Sequence, residues 1–234
     1  MSAKLKAIHT HALDFWLARG SVVVVAALQL SVINKLSVGP YWLAPALELA
    51  LLIPLSLATA WTQGKARDAT TDHHWHLIAH QRRRIRALAV MLTALITAMN
   101  SGSLYLLIRE LLLGNGSTSG LTLLLDAANI WATNMIAFAL WYWSIDCGGP
   151  AARGISHDEA PDFLFPQMTL DDAKADWSPG FVDYLYLSFT NATAFSPTDT
   201  LPLSVRAKLL MMAESAISLL TIALVAARAV NILK

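Results

Sequence analysis

The sequence predicts an all-α integral membrane protein of about five transmembrane helices plus a shorter re-entrant helix and a loop. Three observations lead there. Hydrophobic residues make up 56% of the 234-residue chain and charged residues only 14%, with a mean hydropathy of +0.50, which is more apolar than a soluble domain. Five stretches approach or exceed the roughly 20 apolar residues that cross a hydrocarbon core about 30 Å thick. A further stretch, Phe181 to Phe195, is too short to cross and breaks at Ser196 and Pro197.

The first span is expected at 17–34. Arg19 and Lys35 leave a short apolar stretch between them, so an interfacial helix is the alternative. Asp14 and Arg19 interrupt the start of the chain, and no cleaved signal peptide is expected. The second span is expected at 42–61, where Trp42 and Trp61 stand about 28 Å apart along a helix and suit the two membrane surfaces. The third, 86–112, carries Asn100, Ser101, Gly102 and Ser103 at mid-depth, a composition that favours packing against another helix. The fourth, 120–144, ends in Trp141, Tyr142 and Trp143, read as interfacial aromatics.

From Asp146 to Pro179 the chain turns polar and is broken by Gly148, Gly149, Pro150, Pro161 and Pro166, with Asp171, Asp172 and Asp176 as an acidic group. This predicts an extramembrane loop. The short apolar segment follows, and a last helix is expected over 203–233. The chain therefore divides into 1–145, the N-terminal helices with a basic, His-rich loop at 62–85, and 146–234, the acidic loop, re-entrant helix and inner helix. A helix followed by an extended turn is tolerated at membrane depth only where protein or a water-filled cavity satisfies its backbone.

Residues Tyr184 to Pro202 read YLYLSFTNATAFSPTDTLP. Against the pore-loop consensus SFVTLTTVGYGDIVP they align without a gap from Ser188, with Ser188, Phe189, Thr193, Asp199 and Pro202 matching. Arg206 and Lys208 then lead into the last apolar helix. The chain thus resembles the pore-loop (two-helix pore module) potassium channel superfamily, with a divergent filter, AFSPTD in place of TVGYGD. The resemblance implies a homotetramer in which each chain supplies one quarter of a pore, passive permeation of a monovalent cation, and the last helix as inner wall and gate. It does not carry potassium selectivity. Filter glycines allow the backbone angles that aim carbonyl oxygens at the ion, and here Ser196 and Thr198 take those positions while Pro197 fixes φ and lacks an N–H.

The candidate ion pathway is therefore Asn191, Thr193, Ala194, Phe195, Ser196, Pro197, Thr198 and Asp199, with hydroxyls and amides replacing carbonyl rings and Asp199 favouring cations at the mouth. The same residues also make a sound turn, in which Asp199 caps the last helix. Glu214, Ser215 and Ser218 are candidate pore-lining residues, Glu214 either facing the conduction path or bracing the pore helix. Of the other acids within spans, Asp126 is expected to pair with Arg109 at similar depth, and Glu48 is read as structural.

His73, His76 and His80 share one helical face at i, i+3 and i+7, a spacing able to hold a transition metal. A solvated helical extension is the plainer reading. His76 and His80 resemble one histidine box of membrane di-iron desaturases, but the remaining histidines supply no further boxes. No nucleophile motif, phosphate loop or carboxylate pair stands out, so neither an enzyme nor an organic cofactor is expected. The basic block, six of the 17 basic residues between Lys65 and Arg86, is a topology signal and not a nucleic-acid footprint. The expected partner is the lipid bilayer, in a bacterial inner (plasma) membrane.

Orientation sets two signals against each other. A five-span arrangement places most basic residues on the side of the 146–208 region, which the positive-inside rule makes cytoplasmic, whereas potassium channels insert this loop from outside. Either the loop enters from the cytoplasm or one of the two segments between the basic block and the loop does not span. A non-conducting pore-loop scaffold, or a regulatory or transporter subunit, is the alternative function.

Overall fold

The structure, a computed structural model, describes residues 12–31, 40, 42–68, 72–113, 120–149, 160–170, 177–193 and 199–232. They form helices α1 (Ala12–Leu30), α2 (Leu43–Asp68), α3 (Asp72–Leu113), α4 (Gly120–Ile145), α5 (Phe181–Thr193) and α6 (Val205–Ile232). One small antiparallel pair, β1 (Phe163–Leu164) with β2 (Leu201–Pro202), lies between them, Phe163 opposite Pro202 and Leu164 opposite Leu201. Four helices are long and apolar enough to cross a membrane, over Leu13–Leu30, Arg84–Leu112, Leu121–Ile145 and Val205–Ala227; Leu43–Ile53 is a shorter apolar stretch.

Each helix buries the face its spacing dictates. On α1, Ala18, Val22, Val25 and Ala26 are buried, and on α3 Leu92, Ile96, Asn100, Leu104 and Leu107, both rows at three- and four-residue intervals. Helix α4 is the centre of the bundle, 61% of its apolar window buried against 17% for α6. Its role follows from its contacts, since it packs on α1, α3, α5 and α6. On α6 the arrangement of a soluble helix is reversed. The buried positions include Glu214, Ser218 and Thr221, while Leu209, Met212, Leu219 and Leu220 are exposed. Polar groups inside and leucines outside is the order that hydrocarbon surroundings select, because a polar group facing lipid finds no partner.

Helix α3 is 42 residues long, about 63 Å at 1.5 Å per residue, so its first part, which carries the histidines, extends beyond any span. Helix α1 starts at Ala12, earlier than the expected 17, and is of full spanning length.

One expectation is corrected. Tyr142 and Trp143, read as interfacial, are 0% and 6% exposed and sit in the core. Within the 146–179 loop, Phe163 and Phe165 are buried. Phe163 meets Tyr142 edge-on with centroids 5.2 Å apart, and Phe165 meets Tyr184 at 5.3 Å. The alternation Phe163-Leu164-Phe165 is a period-two signal within an otherwise polar stretch. It explains why the aromatic end of α4 is covered by chain and not by lipid head groups.

Helix α5 begins against α1. Asp14 Oδ1 accepts the Phe181 N–H at 3.0 Å, and Asp183 Oδ2 accepts the Gly180 N–H at 2.7 Å, so carboxylates serve the amides that a helix start leaves open. Gly180 permits the approach, since a Cβ there would lie 2.8 Å from Asp14 Oδ1. With 13 residues, α5 is about 20 Å long, and Thr193 ends it inside the bundle. Leu201 and Pro202 pair with Phe163 and Leu164, which pack beside Tyr184 near the start of α5. The start of α5 and residues 201–204 thus lie at one end of the bundle, the end where α1 and α6 begin and α4 finishes.

Candidate functional site

Glu214 is 0% exposed and lies where α4, α5 and α6 meet. The Tyr142 hydroxyl of α4 donates to its Oε2. From α5, Asn191 Nδ2 donates to the same oxygen at 2.6 Å, and the Ser188 hydroxyl contacts Oε1 and the Met135 carbonyl, the latter at 2.6 Å. Asn191 Nδ2 also reaches the Met211 carbonyl at 3.0 Å, and the Ser215 hydroxyl donates to Asn191 Oδ1 at 3.1 Å. One turn further along, Asn134 Nδ2 donates to Ser218 Oγ at 2.9 Å.

Helical spacing makes this possible. Ser188 and Asn191 stand at i, i+3 on α5, and Glu214 and Ser218 at i, i+4 on α6, so each pair presents one face. Both oxygens of Glu214 are served by donors of this chain. Such a carboxylate is costly to bury alone and strongly held once several donors converge on it. Chemically it is an anchor: it fixes the short helix against the last one.

A second set of bonds closes the same module at its outer end. Asp162 is 1% exposed and holds Arg206 by a two-pronged pair, Nε at 2.6 Å and Nη2 at 2.7 Å. The Ser204 hydroxyl donates to Asp162, and Ser204 Oγ accepts the Ala207 N–H at 3.2 Å. The Leu203 N–H donates to the Asp162 carbonyl at 2.8 Å. Asp146, also buried, accepts the Asp162 N–H at 2.7 Å and the Tyr184 hydroxyl at 2.5 Å. The end of α4, the loop, the start of α5 and the start of α6 are joined through two carboxylates.

Of the candidate ion pathway, Ala194, Phe195, Ser196, Pro197 and Thr198 lie outside the described residues. Asn191 belongs to the Glu214 anchor, and Thr193 Oγ1 donates to the Thr190 carbonyl at 3.1 Å. Asp199 is exposed, and the cap of α6 is Ser204 and not Asp199. Glu214 and Ser218 point into the protomer, so of the two roles read for Glu214 the structure displays bracing. Asp126 is buried and Arg109 exposed. The side chains of His73, His76 and His80 lie outside the described residues, and among the described residues no group of three or more His, Cys, Asp or Glu is placed to hold a metal ion.

Tyr142, Asp146 and Asp162 were not singled out from the sequence. Tyr142 was hidden in an aromatic trio, and Asp162 among several acids of a polar loop. The signal that was available is its position directly before the alternating Phe163-Leu164-Phe165.

A separate polar pair joins α1 to α2. Gln29 Nε2 donates to Glu48 Oε1 at 2.8 Å, while Gln29 Oε1 and Glu48 Oε2 are buried and, among the described residues, have no partner. Two acceptors of one pair thus lack a hydrogen, which a facing amide would supply. Glu48→Gln is therefore expected to stabilise the protein by about 1 kcal/mol, one net buried hydrogen bond. Thermal unfolding in detergent measures this, and a variant less stable than the parent would refute the pairing.

No protein-family model, curated protein or solved structure matches the chain.

Proposed function

We propose that the chain is a pore-loop membrane protein through which monovalent cations pass passively, as a homotetramer with a divergent filter. The observation that carries this reading is the half-length helix α5, clamped by Glu214 to the full-length α6, with the described residues 201–204 lying at the end of the bundle where α5 begins. A helix of about 20 Å cannot cross a core of about 30 Å, and a short helix leading to an extended return is how pore-loop proteins bring backbone and side-chain oxygens to an ion path. Four copies would together complete such a path.

Basic residues support entry of the loop from the cytoplasm. Arg84, Arg86, Arg206 and Lys208 stand at the end where α5 begins, and Arg109 at the other. Both intervening helices, α3 and α4, are long and apolar enough to cross, which supports this orientation by the positive-inside rule.

A second reading is a non-conducting scaffold. It draws on the internal use of Asn191, Thr193 and Ser218, whose polar atoms bond within the protomer. Conductance of the purified chain in planar bilayers separates the two. The channel reading expects cation current reduced several-fold by Asp199→Asn, which removes one charge per subunit at the mouth; absence of current above background across pH and voltage would leave the scaffold. In the same preparation, labelling of Thr169→Cys in a Cys147→Ser background from the cytoplasmic face alone is expected, and labelling from outside alone would reverse the orientation.

A further inference from the structure

Where α3 and α6 begin their apolar runs, an open cavity of about 600 Å³ is lined by Arg86, Pro161, Asp162, Leu203, Ser204 and Arg206. Arg86 stands near the start of the Arg84–Leu112 run, and Arg206 near the start of Val205–Ala227. Both guanidiniums are thus at the level where hydrocarbon gives way to lipid head groups.

Among the described residues that line the cavity, the charges do not balance. Arg206 is paired with the buried Asp162, so those two cancel. Arg86 is half-buried and, among the described residues, makes no hydrogen bond or ion pair. A partly desolvated guanidinium is best satisfied by an oxyanion that accepts two of its N–H groups, and the positive end of α6 adds to the attraction. Beside the cavity the surface is apolar: Leu203, which also lines it, Val205 and Leu209 are 47%, 73% and 59% exposed. A charged socket with an apolar track leading away from it matches a molecule with an anionic head and a hydrocarbon chain.

We propose that this cavity binds the phosphate of an anionic phospholipid, held by Arg86 and flanked by Arg206, with an acyl chain lying over Leu203, Val205 and Leu209. Basic pockets between membrane helices on the cytoplasmic side are suited to such head groups. Asp162, neutralised by Arg206, fixes the position of that arginine and leaves Arg86 as the residue that distinguishes an anionic from a zwitterionic lipid. The site is independent of whether the pore conducts.

The test uses the full chain in a neutral detergent, titrated with short-chain phosphatidylglycerol, short-chain phosphatidylcholine and inorganic phosphate, with bound ligand counted by native mass spectrometry. Phosphatidylglycerol is expected to bind more tightly than phosphatidylcholine, and Arg86→Gln to weaken it about fivefold, one interfacial arginine's contribution. Arg86→Gln removes no observed bond, so the variant should fold. Arg84→Gln, at an exposed arginine outside the cavity lining, is expected to leave binding unchanged. Equal affinity of parent and Arg86→Gln for phosphatidylglycerol, or an equal loss in Arg84→Gln, would overturn the site. Inorganic phosphate binding as tightly as phosphatidylglycerol, with the same dependence on Arg86, would keep the anion site and overturn the lipid as its ligand.

Discussion

Glu214→Leu is expected to cost about 4 kcal/mol, because it strands the Tyr142 hydroxyl and the Asn191 amide at roughly 1–3 kcal/mol for each buried unpaired group and removes a charge that several donors were arranged to meet. Few single substitutions in this chain should do more. The loss should be local in its first consequence: α5 is held to α6 through Ser188 and Asn191, so amides of 181–193 should exchange with solvent well before those of α3 or α4. Tyr142→Phe removes one donor and should cost less, about 1 kcal/mol. In the double variant the two losses should not add, since the contact they share can be lost only once. Thermal unfolding together with hydrogen exchange measures both, and a leucine variant as stable as the parent, with unchanged exchange in α5, would refute the anchor.

Arg206→Ala should be the second large effect, at about 3 kcal/mol, the lower end for breaking a buried pair. The arginine side chain is 51% exposed while Asp162 is 1% exposed, so solvent screens one partner and not the other. What the substitution leaves behind is a carboxylate without its cation in the core of the loop. Asp162 also accepts from Ser204, and its backbone is tied to Leu203 and to Asp146, so the start of α6 should loosen with it. Arg206→Lys should recover only part of the loss, because an ammonium cannot reproduce the two-pronged geometry. Combining Arg206→Ala with Asp162→Asn should cost less than the sum of the two. Additive losses in that cycle would show that the pair contributes nothing of its own.

The two clamps were not equally legible in the sequence. Glu214 stood out because an acid within a long apolar helix needs a partner, and the choice between facing a path and bracing α5 needed only the positions of Ser188 and Asn191. Asp162 was one of several acids in a loop, marked locally only by the alternating Phe163-Leu164-Phe165 that follows it. Its environment comes from Phe163 and Phe165, and their burial depends on Tyr142 and Tyr184, distant in sequence. The aromatic end of α4 was misread for the same reason. A Trp-Tyr-Trp trio at a span end is equally suited to head groups and to a covering loop, and only the loop's path decides between them.

Composition and periodicity by themselves determined that this chain is helical and apolar enough for a membrane, and that the apolar stretch Phe181 to Phe195 is too short to cross. Those properties are local sums over neighbouring residues, so they can be read along the chain. The tertiary structure alone decided that Glu214 looks inward, that 162–165 folds under the end of α4, and that Arg86 and Arg206 share one cavity. Each depends on groups brought together across long sequence separations, where the free energy lies in pairing buried polar groups and not in the preference of any one segment.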